Sequence, residues 1–383
     1  MIRITACLVL HALLLGSWAS ASPPRERRFS TGDGPGVVAI ADLNGDGLPD
    51  LVTANERSGN ASVLLGDGKG GFSPAPGSPF PAGHSPNDLA VGDFNRDGRL
   101  DLAFANHDTQ YLTVLLGDGR GGFSPAPGSP VKVAVRPHPH GIATGDFDGD
   151  GSPDLATDSW AENRLQILFN DGKGGFRQPG TYVAVGKHPY QRIRVADLNG
   201  DGKADIVSPN LEGNDVTVLL GKGKGTFEQP AGSPFPCGDS PFSVAVGDVN
   251  ADGLVDLAIV SSPSSTSDRS GRDGLAVLLG DGHGRFRAMK GSPFPMGRFP
   301  NLVAIGDVDG DGVGDVVVSR PDADQITVFT MSRKGTLASR QDLPVPGHPK
   351  GLAIGDLDGD HLGDIVVTNN AANTVTVIFG RRR

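Results

Sequence analysis

A nine-residue string, Asp-x-[Asn/Asp]-x-Asp-x-x-x-Asp, begins at Asp42, Asp93, Asp146, Asp197, Asp248, Asp307 and Asp356. The intervals between copies are 51, 53, 51, 51, 59 and 49 residues, so one unit is repeated seven times across the chain. A unit of this size cannot bury its apolar face alone and must stack against its neighbours, which restricts the chain to a repeat architecture. Each string is preceded by a short run of β-formers, as in Val37-Val38-Ala39-Ile40, and followed by another, as in Asp205-Ile206-Val207. A third run, as in Leu112-Thr113-Val114-Leu115-Leu116, ends in a Gly-rich turn and then Phe123. Such runs bounded by Gly, Pro, Asn and Asp carry the strand-and-turn signature, and no segment sustains a helical period. Four short strands in about 50 residues, repeated radially, predict an all-β, seven-bladed β-propeller.

The composition fits that reading. The 383 residues include 57 Gly and 30 Pro, a load that excludes long regular helices. These residues are not scattered, as in a disordered chain, but recur at the same turns of every unit. The position of ring closure is also legible. The last unit stops after its third strand, at Val377-Ile378-Phe379-Gly380. Arg27-Arg28-Phe29-Ser30 matches the start of the fourth strand elsewhere, as in Gly71-Phe72-Ser73. Residues 26–32 are therefore expected to complete the last blade and to remove the open edge that it would otherwise expose.

The aspartate spacing has a mechanism. Oxygens at positions 1, 3 and 5 of a tight loop converge on one point, position 7 offers a backbone carbonyl, and position 9 adds a carboxylate. Hard Ca²⁺ takes six to eight such oxygens, and an EF-hand loop begins in the same way. Here strands flank the loop and no Glu stands at position 12, so the expected element is a calcium-binding hairpin. Its side-chain ligands are Asp42, Asn44, Asp46 and Asp50 in the first unit, and Asp93, Asn95, Asp97 and Asp101 in the second. The third has Asp146, Asp148, Asp150 and Asp154, and the fourth Asp197, Asn199, Asp201 and Asp205. The fifth has Asp248, Asn250, Asp252 and Asp256, the sixth Asp307, Asp309, Asp311 and Asp315, and the seventh Asp356, Asp358, Asp360 and Asp364. Up to seven structural Ca²⁺ ions are expected. In the seventh loop His361 replaces the turn Gly. A Cβ there costs about 1 kcal/mol if φ is positive, so this site is expected to be the weakest.

These units resemble the FG-GAP/VCBS repeats of integrin-α-type β-propellers over residues 26–383. The resemblance implies seven blades, with calcium in the loop joining the first and second strands of each, on the bottom face. It also implies service in adhesion and ligand binding. Some members are lectins, and similar propellers occur in polysaccharide lyases, so the fold alone does not choose among these.

Residues 1–21 read as a secretory signal. Arg3 gives a positive start, Ile4 to Leu15 is largely apolar, and Ala19-Ser20-Ala21 suits cleavage. The apolar run is too short to span a bilayer. The mature propeller, 22–383, is then expected to be exported, extracellular or periplasmic, and monomeric. Cys237 is its single cysteine, so calcium takes the place that disulfides hold in many exported chains. The net charge of -10 argues against nucleic acid. The loop ligands hold 24 of the 44 acidic residues, however, and seven Ca²⁺ would carry the charge to +4. Anionic ligands such as acidic polysaccharides then become compatible with the calcium-loaded chain.

A Pro stands seven residues before the first aspartate in six units and eight before it in the fourth (Pro189). The loops around it, and those between second and third strands, are expected on the top face opposite the aspartates. They carry His84, His107, His138, Trp160, His188 and His348 as candidate contacts for a protein or glycan ligand. Three residues before the first aspartate, Ala recurs in six units, and the fourth has Arg194. Arg194 either projects into the channel, where it could meet an anion, or is turned away by a shifted register. Gly66-Asp67-Gly68-Lys69-Gly70-Gly71 matches a dinucleotide-binding string, but a Phe and a Pro-rich strand follow it instead of a helix. No nucleophile–base set or zinc-protease motif stands out. The expectation is a binding or adhesion module and not an enzyme. The alternatives are a lectin-like propeller and a polysaccharide lyase-like enzyme acting through Arg194 or His138.

Overall fold

The computed structural model describes residues 24–382 apart from 191, 262–273 and 298. The expected signal at 1–21 lies outside the described residues, as does most of Ser261–Asp273, the stretch that lengthens the fifth interval to 59 residues. Seven antiparallel sheets follow one another along the chain, each on a path of four strands, and four of them carry an extra two-residue strand paired with the third. The first blade runs Pro35–Ala41, Asp50–Asn55, Asn60–Gly66 and Phe72–Pro74, in that order from inside to outside. The inner strands of the later blades are Pro86–Gly92, Ile142–Gly145, Arg194–Ala196, Pro241–Gly247, Val303–Gly306 and Pro349–Gly355. Each inner strand touches the next, and the last touches the first, so they close a ring. The seventh blade draws its outer strand from the other end of the chain. Glu26–Ser30 pairs antiparallel with Thr374–Ile378, with Phe29 opposite Val375, and the Phe29 ring meets Phe72 of the first blade edge-on at 5.3 Å.

Second strands such as Asp50–Asn55 and Asp101–Asn106 are buried along their whole length because another blade covers each face. The core therefore lies between blades. Val52 and Val63 of the first blade pack with Leu102 and Phe104 of the second, and Leu51 and Leu64 pack with Val366 and Val377 of the seventh. The prolines explain how the chain turns into a blade. Pro35, Pro86, Pro241 and Pro349 each open an inner strand, and the pairing register shifts just after each of them. A residue without an N–H is tolerated at such a strand start.

The aspartate at position 9 ties each blade together. In all seven blades it is fully buried. One of its oxygens accepts the backbone N–H of the second loop residue, and the other accepts an N–H at the end of the third strand. Asp205 shows the pattern, with Leu198 N–H at 2.8 Å and Gly221 N–H at 2.7 Å. Asp50 takes Leu43 and Gly66, and Asp364 takes Leu357 and Gly380. The nine-residue spacing points these carboxylates at a metal; the third-strand partner, 16 residues further on at Asp205 and 24 at Asp256, lies outside that motif. Burial raises their pKa, to about 6 for Asp205 and to about 7 for Asp154 and Asp315. Hydrogen bonds to a charged acceptor contribute about 1.5–3 kcal/mol each. Asp205→Ala should accordingly cost about 3–5 kcal/mol in denaturant melts with chelator present. The exposed Asp201, which holds one loop amide, should cost far less on the same change. Equal losses would disprove the clamp.

Candidate functional site

The two ends of the strands carry different chemistry. At the end holding the aspartate loops, position 1 organises the turn. Asp42 Oδ1 accepts the N–H of Gly45 and Asp46, and its Oδ2 accepts that of Gly47. The carboxylates gather within 4.8 Å in three loops: Asp146, Asp148 and Asp154; Asp307, Asp309 and Asp311; and Asp356, Asp358 and Asp360. Asp358 Oδ1 is buried with no hydrogen-bond partner among the described residues, as an oxygen awaiting a cation would be. These loops fit Ca²⁺ in donor type and convergence. Where Asn stands at position 3 the arrangement differs. Asn44 Nδ2 donates to Asp46 Oδ2 at 2.9 Å, and Asn95 and Asn250 do likewise to Asp97 and Asp252. In the seventh loop His361 sits at φ +67, the left-handed conformation that its turn requires.

The opposite end gathers most of the candidate ligand residues into one strip. His84 Nδ1 lies 3.4 Å from the His107 carbonyl. The His107 ring stands 4.1 Å from that of His138, and His138 4.5 Å from His140. His140 contacts Tyr190 at 4.5 Å and Trp160 at 5.8 Å, and Trp160 stacks on His188 at 4.1 Å. His188 Nδ1 reaches Glu212 at 3.0 Å. Five predicted residues from the second, third and fourth units thus meet, because loops that lead into a blade alternate around the rim with loops inside a blade. His348 is not brought to the strip. It lies at the head of the seventh blade, with its N–H on Asp324 Oδ1 at 2.8 Å. Burial, then the neighbouring His140 and His107 rings, push the His138 pKa down to about 4. The hydrogen bond from His107 holds Asp108 below the usual carboxylate range.

Arg194 occupies the register of the alanines. It pairs with Val207 as Ala39 pairs with Val52 and Ala353 with Val366. The extra residue of the fourth unit is absorbed upstream, where Arg192 adopts φ +51. Arg194 therefore stands on the strand lining the channel, with Nη1 on the Ile193 carbonyl at 3.0 Å. Enclosure by the ring lowers its guanidinium pKa, while Asp88 opposes that shift. The larger feature was missed in the sequence. Arg192, only 1% exposed, reaches from the fourth blade to Asp88 of the second at 2.6 Å, and to the Asn87 carbonyl at 2.9 Å. Asp88 also accepts the Ile142 N–H at the head of the third blade. Both stand five residues before the first aspartate of their units, but those units are two apart, and no local motif announces a pair across them.

A closed ring of seven antiparallel sheets, with copied aspartate hairpins at one end, defines a seven-bladed β-propeller built from sequence repeats. The FG-GAP-like repeat model matches residues 42–104, 93–157, 159–208, 197–259 and 307–367. The chain belongs to the FG-GAP-like repeat family. It is 30% identical to integrin alpha-4 of Xenopus laevis over 158 residues, 40% of this chain and 13% of that protein. It is 28% identical to human integrin alpha-IIb over 221 residues, 50% of this chain and 20% of that one. The chain thus matches a fifth or less of these relatives' length. Among solved structures, a lectin of Agrocybe aegerita that recognises non-reducing terminal N-acetylglucosamine superposes with a TM-score of 0.55 at 20% identity, over 88% of this chain and 86% of the lectin.

Breaking a buried ion pair by removing one partner costs about 3–5 kcal/mol, because a charge is left without a counterpart. Arg192→Met should lower stability by that amount, and adding Asp88→Leu should restore most of it. A double variant no more stable than the single one would refute this account of the pair.

Proposed function

We propose that this chain is an exported, calcium-loaded binding and adhesion propeller. The aspartate loops hold structural Ca²⁺ at one end, and the histidine–aromatic strip at the other end meets a protein or glycan ligand. The observation that carries the reading is the convergence of His107, His138, Trp160 and His188 from three blades onto one continuous surface. Membership in a repeat family shared with integrin α chains supports binding over turnover. Among the described residues no helix is long and apolar enough to cross a membrane. The glycan form of the reading draws on Trp160, a half-buried indole at the rim, since sugars dock on aromatic faces rimmed by polar groups.

Calcium would be held by the side chains at positions 1, 3, 5 and 9, and it supplies charge neutralisation there. An ion that binds only the folded state adds about 2.7 kcal/mol per site at a hundredfold excess over Kd. Chelation should therefore lower the melting temperature by many degrees, with the His361 loop releasing its ion first. A melting curve unchanged by chelator would refute the calcium reading.

The ligand reading is tested by screening the calcium-loaded chain against glycan arrays and cell-surface proteins. Trp160→Ala and His188→Ala should each weaken the ligand found at least tenfold while leaving the melting curve in place. Binding unaffected by both changes, or no ligand from either class, would overturn the assignment of this face.

A further inference from the structure

Three histidines of the top strip form a constellation that ligand contact does not explain. His107 comes from the loop between the second and third strands of the second blade, and His138 and His140 come from the loop leading into the third. Each offers a ring nitrogen within 4.8 Å of the other two. The Nε2 atoms of His138 and His140 stand 3.1 Å apart. Two donors on a tetrahedral Zn²⁺, each at about 2.0–2.1 Å from it, lie about 3.4 Å apart, so the spacing is already close to that of a bound pair.

The other side of each ring is also arranged. His107 Nδ1 lies 3.1 Å from Asp108 Oδ2, and His138 Nδ1 lies 3.5 Å from Asp108 Oδ1. His140 Nδ1 faces Asp158 Oδ2 at 3.6 Å, and neither atom has a hydrogen-bond partner among the described residues. His140 is 2% exposed and Asp158 is fully buried. Carboxylates behind the distal nitrogens are the usual support of metal-bound imidazoles, because they fix the tautomer that leaves Nε2 bare.

Proton counting sharpens the point. A neutral imidazole carries one N–H. If one Nε2 donates to the other across the 3.1 Å gap, the donor's own Nδ1 is bare and its lone pair faces a carboxylate. Either choice of donor leaves this conflict, at Asp108 or at Asp158. A cation between the rings removes it, since both Nε2 atoms become ligands and both Nδ1 atoms carry protons toward the carboxylates.

The site is held in advance. The His140 N–H donates to Asp158 Oδ1 at 2.9 Å, and its carbonyl accepts from Asn87 Nδ2 at 2.9 Å. The His140 ring packs on Tyr190 and Trp160. The His107 side chain keeps 33% of its surface exposed, so the fourth position of a tetrahedron opens toward solvent.

We propose that His107, His138 and His140 form a three-imidazole site for a divalent transition metal of the Zn²⁺ class, supported by Asp108 and Asp158 and open at its fourth position. Imidazole nitrogen selects Zn²⁺, Cu²⁺ or Ni²⁺ over Ca²⁺, so this metal differs from the one expected in the aspartate loops at the other end. The site stands independently of the protein or glycan ligand proposed above, because its test uses the metal alone.

The test is calorimetric titration of the full mature chain with Zn²⁺ in saturating Ca²⁺, which occupies the aspartate loops, alongside visible spectra with Co²⁺. The expected result is about one Zn²⁺ per chain and the intense d–d bands of four-coordinate Co²⁺. His107→Ala and His138→Ala should each weaken binding at least tenfold, and Asp158→Asn should weaken it about 10–100-fold. His283→Ala, in an exposed turn between the third and fourth strands of the fifth blade, should leave it unchanged. His107 is partly exposed, so its variant tests the site even if changes at the buried His140 prevent folding. Absence of Zn²⁺ binding, binding equal in the folded His107 and His138 variants, or a six-coordinate Co²⁺ spectrum would each overturn the proposal.

Discussion

The buried aspartate at position 9 is the contact on which each blade depends. One carboxylate accepts an amide from its own loop and another from the end of the third strand, so it fastens the inner hairpin to the strand outside it. Removing it leaves two buried amides without acceptors. Retaining it puts a desolvated acid beside two or three others in the same loop, which burial and mutual repulsion both oppose. The blade therefore holds a charge that its own amides only partly compensate. That imbalance is the physical ground for a cation at this end of the ring.

Closure follows from the same economy of edges. Six blades are built from consecutive chain, and each is covered on both faces by its neighbours. The seventh takes Glu26–Ser30 from the start of the chain, so the blade that joins the two ends is stitched by ten backbone partners from both of them. Inside the ring, space decides composition. Inner strands that touch their neighbours admit Ala in six blades. In the fourth blade the same register holds Arg194, while Arg192 bridges to the second blade. An arginine pair beside the buried Asp88 gives this side of the channel a charge that the alanines at the same register elsewhere do not carry.

The top rim departs from repetition for a different reason. Its loops are not constrained by the copied motif, so their side chains vary, and ring geometry brings them together irrespective of their spacing in sequence. His107 and His138 lie in different units, yet their rings stand 4.1 Å apart. The sequence reading listed most of these residues because polar and aromatic side chains recur near the prolines. It placed His348 with them on the same ground, although the seventh blade lies away from the strip. Arg194 pairs with Val207 in the register of the alanines, so the extra residue of its unit does not shift it off the inner strand. The seven aspartate loops are legible as turns because their members fall within nine positions, and local backbone geometry gathers three carboxylates in the third, sixth and seventh of them.

The sequence by itself determined the class of fold, the number of blades, the strand runs, and the position of each aspartate hairpin. These depend on contacts between near neighbours and on a period that repeats, and both are written along the chain. Tertiary structure decided the second amide partner of each clamp, the Arg192–Asp88 bridge, and the convergence of His107, His138 and His140. Those contacts join positions too far apart along the chain for local backbone geometry to bring them together. They exist because strand pairing within a blade and closure of the ring bring distant positions within side-chain reach, a condition that only the assembled propeller supplies.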